Sequence, residues 1–336
     1  MSERSQQFER THWSLALFSA REEPTQLADA VLAAANADRE VASLTLDVLV
    51  NGNPALAAEM HGRLSTGPWW KNGTTVRLWS IPRSDKAHAW NHYLHCLMPD
   101  ASLAFFMDGY VTIERNALAL MADAIRERPQ ALAATSMPST GRSAASLRRR
   151  FLADGGLHGN LYALTRATTQ RLRDCGFRLP TGIYRNDSAL GAALAFNLDP
   201  RCNKWNWDRI AVVPDAEYRV PMTAVTRLSD VHIQLKRRWR QAQGQLETMA
   251  LKAHLADAGR PPSAWPLTVR ELILNWANEH PSAARSLVWT DPLAWAALTN
   301  LRRTSEGAVP DGPAECLGQY SRSMSMRSQP LVVSEH

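Results

Sequence analysis

The 336-residue sequence lacks any apolar run near the roughly 18 residues that a membrane-spanning helix needs. Cysteine is scarce: Cys96, Cys175, Cys202 and Cys316 are far apart and form no C-x-x-C pair, which argues against a zinc framework or a disulfide scaffold. Reduced thiols in a cytoplasmic protein are the expectation. Met1 to Arg10 is polar, without the apolar stretch of a secretory signal. No repeat recurs along the chain. The G-x-G-x-x-G and G-x-x-x-x-G-K-[ST] patterns are missing too, so any phosphate ligand is gripped without those backbone cradles.

What is present is an ordinary globular composition, 45% hydrophobic and 21% charged, with ample material for a buried core. The net charge is +6, and 33 of the 38 basic residues are Arg. A nucleic-acid partner is not expected, because the excess is local. Nine Arg fall between Arg142 and Arg185 against only Asp154 and Asp174. Such a patch suits an anionic ligand or membrane headgroups, and equally a solvated loop.

Strand and helix signals alternate through the first half. Apolar runs at Trp13–Phe18, Ser43–Val50, Thr75–Ser80 and Ser102–Met107 read as strands. The segments Gln26–Ala37, Ala55–Leu64, Lys86–Cys96 and Arg115–Arg128 read as helices. This alternation predicts βαβ units and an α/β fold with a mainly parallel sheet. Beyond Thr135 the pattern loosens. Pro138–Gly156 reads as a loop, Gly159–Leu164 as a strand, Asp187–Phe196 as a helix and Arg227–Leu255 as a long polar helix. Two Pro-punctuated helical pieces between Arg260 and Leu301 carry Trp265, Trp276, Trp289 and Trp295, an aromatic set suited to a core or to an exposed face. The last thirty residues read as frayed.

Ligands of parallel α/β sheets bind beyond the carboxyl ends of the strands. The polar residues there are Ser19, Ala20, Arg21 and Glu22, then Asn51–Asn53, then Asp108, Gly109 and Tyr110. Asp108 at an apolar strand's tip can hold a divalent cation or simply close a turn. Lys86 opens a helix and can approach an anion. Asp187 precedes an apolar helix, where it can cap the helix or act as a general base.

In order, these segments resemble a family 2 glycosyltransferase with the GT-A fold over about Trp13 to Gly244. The resemblance is carried by Asn51-Gly52-Asn53, Lys86-Ala87-His88-Ala89-Trp90-Asn91 and Asp108-Gly109-Tyr110. It continues through Gly155-Gly156-Leu157-His158-Gly159-Asn160-Leu161-Tyr162-Ala163-Leu164 and Asn186-Asp187-Ser188-Ala189-Leu190. It implies a Rossmann-like GT-A domain over 1–244, with a donor half at 11–135 and an acceptor half at 136–244, then a helical extension over 245–336. Ser19, Ala20, Arg21, Glu22, Asn51, Lys86, Asn91, Asp108 and Gly109 would hold a nucleotide-sugar, a uridine one in this reading. Asp187 would be the base of an inverting transfer to a saccharide or lipid-linked acceptor.

The resemblance also implies Mg2+ or Mn2+ at Asp108. Tyr110 stands where a second carboxylate is usual, so His232 is the expected additional ligand. Asn51 and Asn186 likewise replace acidic residues. Gln234-Leu235-Lys236-Arg237-Arg238-Trp239 is one residue too long for the Q-x-x-R-W box of processive synthases, which favours addition of one sugar. The implied setting is polysaccharide or glycolipid synthesis in the cytoplasm, with peripheral contact at the inner membrane face. The alternative is a non-catalytic nucleotide-sugar-binding protein on the same fold.

Overall fold

The computed structural model describes residues 12–67, 70–141, 144–221, 229–303 and 312–321, with the side chains of 229–237 outside that description. Among the described residues nine strands form one sheet: β1 (His12–Ser19), β2 (Ser43–Asn51), β3 (Thr74–Ile81), β4 (Leu103–Asp108), β5 (Thr112–Ile113), β6 (Ala133–Pro138), β7 (Leu161–Thr165), β8 (Ile210–Arg219) and β9 (Glu315–Ser321). Their order is β5-β8-β6-β7-β4-β1-β2-β3-β9. Strands β4, β1, β2 and β3 run parallel, as alternation with helices requires.

The helices of this half are α1 (Pro24–Asn36), α2 (Pro54–Ser65), α3 (Lys86–His92) and α4 (Ala117–Glu127). Prolines open α1 and α2, where a missing amide hydrogen costs no helical bond. The buried faces of α1 and α2 carry Leu27, Val31, Leu56 and Met60 onto one side of the sheet. Helix α3 packs on the other side, where Trp90 stacks on Phe106 and donates its indole N–H to the Tyr162 hydroxyl at 2.7 Å.

The second half departs from the sequence reading in three places. Residues 144–154, expected as loop, form helix α5 (Ala144–Asp154). Strands β6 and β8 are not expected from the sequence: β6 is a short run, and Pro214 interrupts the ten-residue β8. Glu315–Ser321, expected to fray, pairs antiparallel with β3 and covers that sheet edge. Strand β7 runs antiparallel between β4 and β6.

The remaining helices are α6 (Arg166–Asp174), α7 (Asn186–Ala195), α8 (Ser229–Lys252), α9 (Val269–Glu279), α10 (Pro281–Thr290) and α11 (Pro292–Arg303). Helix α8 runs unbroken across position 244. Its Ala242, Leu246 and Ala250 share a core with α7 and with the helices that follow. Trp265 and Trp276 are core residues, whereas Trp289 and Trp295 are exposed. None of the described helices is long and apolar enough to cross a membrane.

Candidate functional site

The parallel register brings the carboxyl ends of four strands to one edge. Ser19 lies opposite Val50, Asn51 opposite Ile81, and Phe18 opposite Asp108. The loops beyond them interlock. One Glu22 carboxylate oxygen accepts from the Ser19 hydroxyl and from the Ala20 and Arg21 amides, so this acid folds its own turn. Asn53 caps α2 by accepting from the Leu56 amide and donates to the Ala20 carbonyl at 2.9 Å. Asn51 is buried at the end of β2.

Lys86 reaches across from α3 and pairs with the Asp108 carboxylate. Asp85 sets up that reach with both oxygens. One caps α3 through the His88 amide, and the other accepts from the Gly182 amide at 2.6 Å. The loop leading to α7 is thereby tied to the helix that carries Lys86. Asn91, expected near the donor, instead pairs both halves of its amide with the Leu179 backbone, at 2.8 Å each. It lines a cavity separate from that of Asp187.

Gly109 allows the backbone to close at this point. Its amide donates to the Phe18 carbonyl at 2.7 Å, and a Cβ there would sit 2.9 Å from that of Ser19. Asp187 occupies the first turn of α7, so it is no N-cap; Arg185 holds that position. Its Oδ1 accepts from the Ser188 amide and its Oδ2 from the Gly159 amide at 3.0 Å. Each oxygen keeps a further lone pair for another donor.

The segment His158-Gly159-Asn160 joins the two acids. The Asp108 amide donates to the Asn160 carbonyl at 3.1 Å, and the Tyr110 hydroxyl donates to the Asn160 side chain at 2.9 Å. Gly159 then holds Asp187. His158 Nδ1 accepts from the Asn160 amide at 3.4 Å and shares a 2.9 Å hydrogen bond with the Tyr218 hydroxyl, which leaves Nε2 to carry the ring hydrogen. Burial lowers the His158 pKa, against the opposing fields of Asp187 and Asp108, while Arg150 and Lys86 lower it further. One imidazole thus feels the charges of Asp187, Asp108, Arg150 and Lys86 together.

Asp187 and His158 also line a cavity of about 570 Å³, and Asp108 is not among its lining residues. This volume lies in the usual range of small-molecule sites.

Three residues with positioning roles escaped the sequence reading: His158, Asp85 and Glu247. Glu247, on α8, is wholly buried and accepts from the Tyr184 and Arg185 amides at 2.9 and 3.1 Å, two residues ahead of Asp187. A Glu on the apolar side of a helix was its only available signal.

The expected metal ligands fare differently. Asp108 offers one carboxylate already paired with an ammonium, and Tyr110 beside it bonds to Asn160. Among the described residues no three His, Cys, Asp or Glu side chains converge as a metal site. This donor set does not fit a tightly held divalent cation. The His232 side chain lies outside the described residues.

The basic stretch is partly structural. Arg148 pairs with Glu217, Arg166 pairs with Asp100, and Arg173 donates to the Leu94 and Met98 carbonyls. Arg150 and Arg185 face the Asp187 cavity.

No family model and no curated protein matches the sequence. Solved structures do match in shape. A mannosyltransferase of Pyrobaculum calidifontis in complex with GDP-mannose and Mn2+ is 18% identical, with a TM-score of 0.52, over 87% of this chain and 86% of that one. Residues 1–349 of TarS from S. aureus are 14% identical, with a TM-score of 0.50, over 86% of this chain and 80% of that one. At such identities the likeness establishes the fold: this chain has the mixed, mostly parallel α/β architecture of these glycosyltransferase structures.

Proposed function

We propose that the protein is an inverting glycosyltransferase of the family 2 type, moving one sugar from a nucleoside-diphosphate sugar to an acceptor hydroxyl. The observation that supports this reading is the His158-Gly159-Asn160 segment, whose adjacent residues bond to Asp108 on one side and to Asp187 on the other. In this reading Ser19–Glu22 and Asn51 hold the base and ribose. In this reading Lys86, paired with Asp108 in the free protein, turns to the departing diphosphate as its negative charge grows.

In the step itself, Asp187 takes the acceptor hydroxyl's proton. The acceptor oxygen bonds to the anomeric carbon, and that carbon's bond to the diphosphate breaks, its electron pair leaving with the phosphate. Attack from the opposite face inverts the configuration. The two amide donors on Asp187 fix which lone pairs face the acceptor. UDP is the expected nucleotide portion; the mannosyltransferase complex makes GDP the competitor to test.

Asp187→Asn should lower transfer about 10²–10⁴-fold while leaving UDP or GDP affinity within about twofold. Single-turnover transfer and calorimetric nucleotide titration check both. Unchanged turnover removes Asp187 as the base. Because Lys86 already faces Asp108, nucleotide affinity should fall more in Lys86→Ala than on moving the wild-type protein from Mn2+ to EDTA. The non-catalytic reading rests on Tyr110 and on the occupied carboxylates of Glu22 and Asp108. Firm nucleotide binding without hydrolysis or transfer to any acceptor would favour it.

A further inference from the structure

The 570 Å³ cavity beside Asp187 is unlike a plain sugar-binding cleft. One wall is aromatic: Trp205 meets Trp207 edge-on at 4.7 Å and Phe196 edge-on at 5.1 Å, yet stays 45% exposed. Leu157, Leu251 and Leu255 also line it, and they offer no polar atom to a hydroxylated ring. Asp187 and Ser188 line it as well.

Three cations also line it, from three separate elements: Arg150 of α5, Arg185 ahead of α7 and Lys252 at the end of α8. Among the described residues none of the three forms an ion pair, whereas Arg148, two positions from Arg150, is neutralised by Glu217. Among the described residues Asp154 and Asp187 are the acids that line it, and the buried Glu247 lies near enough to Arg185 for the two charges to interact. An apolar wall with surplus positive charge complements a ligand that is apolar along its length and negatively charged at one point.

We propose that this cavity binds an anionic amphiphile, and that this is the acceptor. Its hydroxyl sits at Asp187, its apolar chain or ring runs along the Trp205 and Leu251 walls, and its phosphate-like group meets Arg150, Arg185 and Lys252. The assignment as acceptor rests on the glycosyltransferase reading; the binding chemistry does not.

The test is calorimetric titration of the full chain with octyl phosphate, octyl β-glucoside and inorganic phosphate, the amphiphiles below their micelle concentrations. Octyl phosphate should bind at least about tenfold more tightly than either of the others. Trp205→Ala and Lys252→Glu, both at exposed positions, should each weaken it about tenfold. Ala256→Trp, which fills the cavity from an exposed turn, should abolish it. Octyl phosphate binding no tighter than inorganic phosphate, or as tightly to Ala256→Trp as to wild type, overturns the proposal. UDP and GDP titrations on the same preparations separate the two readings. Lost nucleotide binding with retained octyl phosphate binding rejects sugar transfer alone, and the reverse rejects the amphiphile alone.

Discussion

Gly159 shows how little room the site leaves at a single position. A Cβ placed there would lie 3.0 Å from the Asp187 Cβ and 3.1 Å from Oδ2, closer than ordinary contacts allow. The amide that orients the carboxylate and the side chain that would displace it share one residue. Gly159→Ala should therefore lower kcat about tenfold or more, by shifting Asp187, while nucleotide affinity stays within about twofold. Parallel kinetics and titration read this. An unchanged kcat would mean that the carboxylate tolerates the shift. The motif quoted from the sequence contained Gly159, but nothing in the sequence said that the glycine faced Asp187 28 positions on.

At the level of elements, the approach to Asp187 is held from two sides. Asp85 grips the Gly182 amide from the start of α3, and Glu247 grips the Tyr184 and Arg185 amides from the C-terminal part of α8. Gln243, one turn before Glu247, donates to its carboxylate at 3.0 Å. A buried acid accepting several donors is stabilised only while all of them remain paired. Glu247→Ala leaves two backbone amides unpaired, at about 1–3 kcal/mol each. Its melting temperature should fall by several degrees and kcat should fall with it, while nucleotide affinity changes little, because the donor-side loops are untouched. Thermal melts with titrations check this. A melting loss without a kcat loss would make Glu247 purely structural. This clamp joins residues over 60 positions apart, which local periodicity does not report.

For the whole molecule, the consequence is a pH dependence. His12, His92, His95, His158 and His254 are each held below the ordinary value of 6.5, with burial the largest cause. The unfolded chain therefore takes up protons before the folded one. The stability these imidazoles allow is complete above about pH 6.5 and is lost as pH falls through their lowered values. Burial raises the Asp47 and Glu247 carboxyls and acts in the opposite sense. The melting temperature should fall between about pH 7 and pH 5.5, and His158→Gln should fall less steeply. Equal slopes for the two proteins would show that His158 is not among the groups responsible.

The α/β class and the parallel order of the first four large strands were legible because strands buried on both faces must be apolar runs, and intervening helices must repeat at 3.6 residues. Lys86, Asp108 and Asp187 could be named because strand tips and helix starts are where exposed polar side chains of such sheets gather. Three features came only from the tertiary structure: the strand formed by Glu315–Ser321, the turning of Asn91 onto Leu179, and the linking of Asp108 to Asp187 through Asn160 and Gly159. Each depends on pairing between segments distant in the chain. Such contacts are selected by packing and hydrogen-bond satisfaction across the whole core, and local residue order carries no record of them.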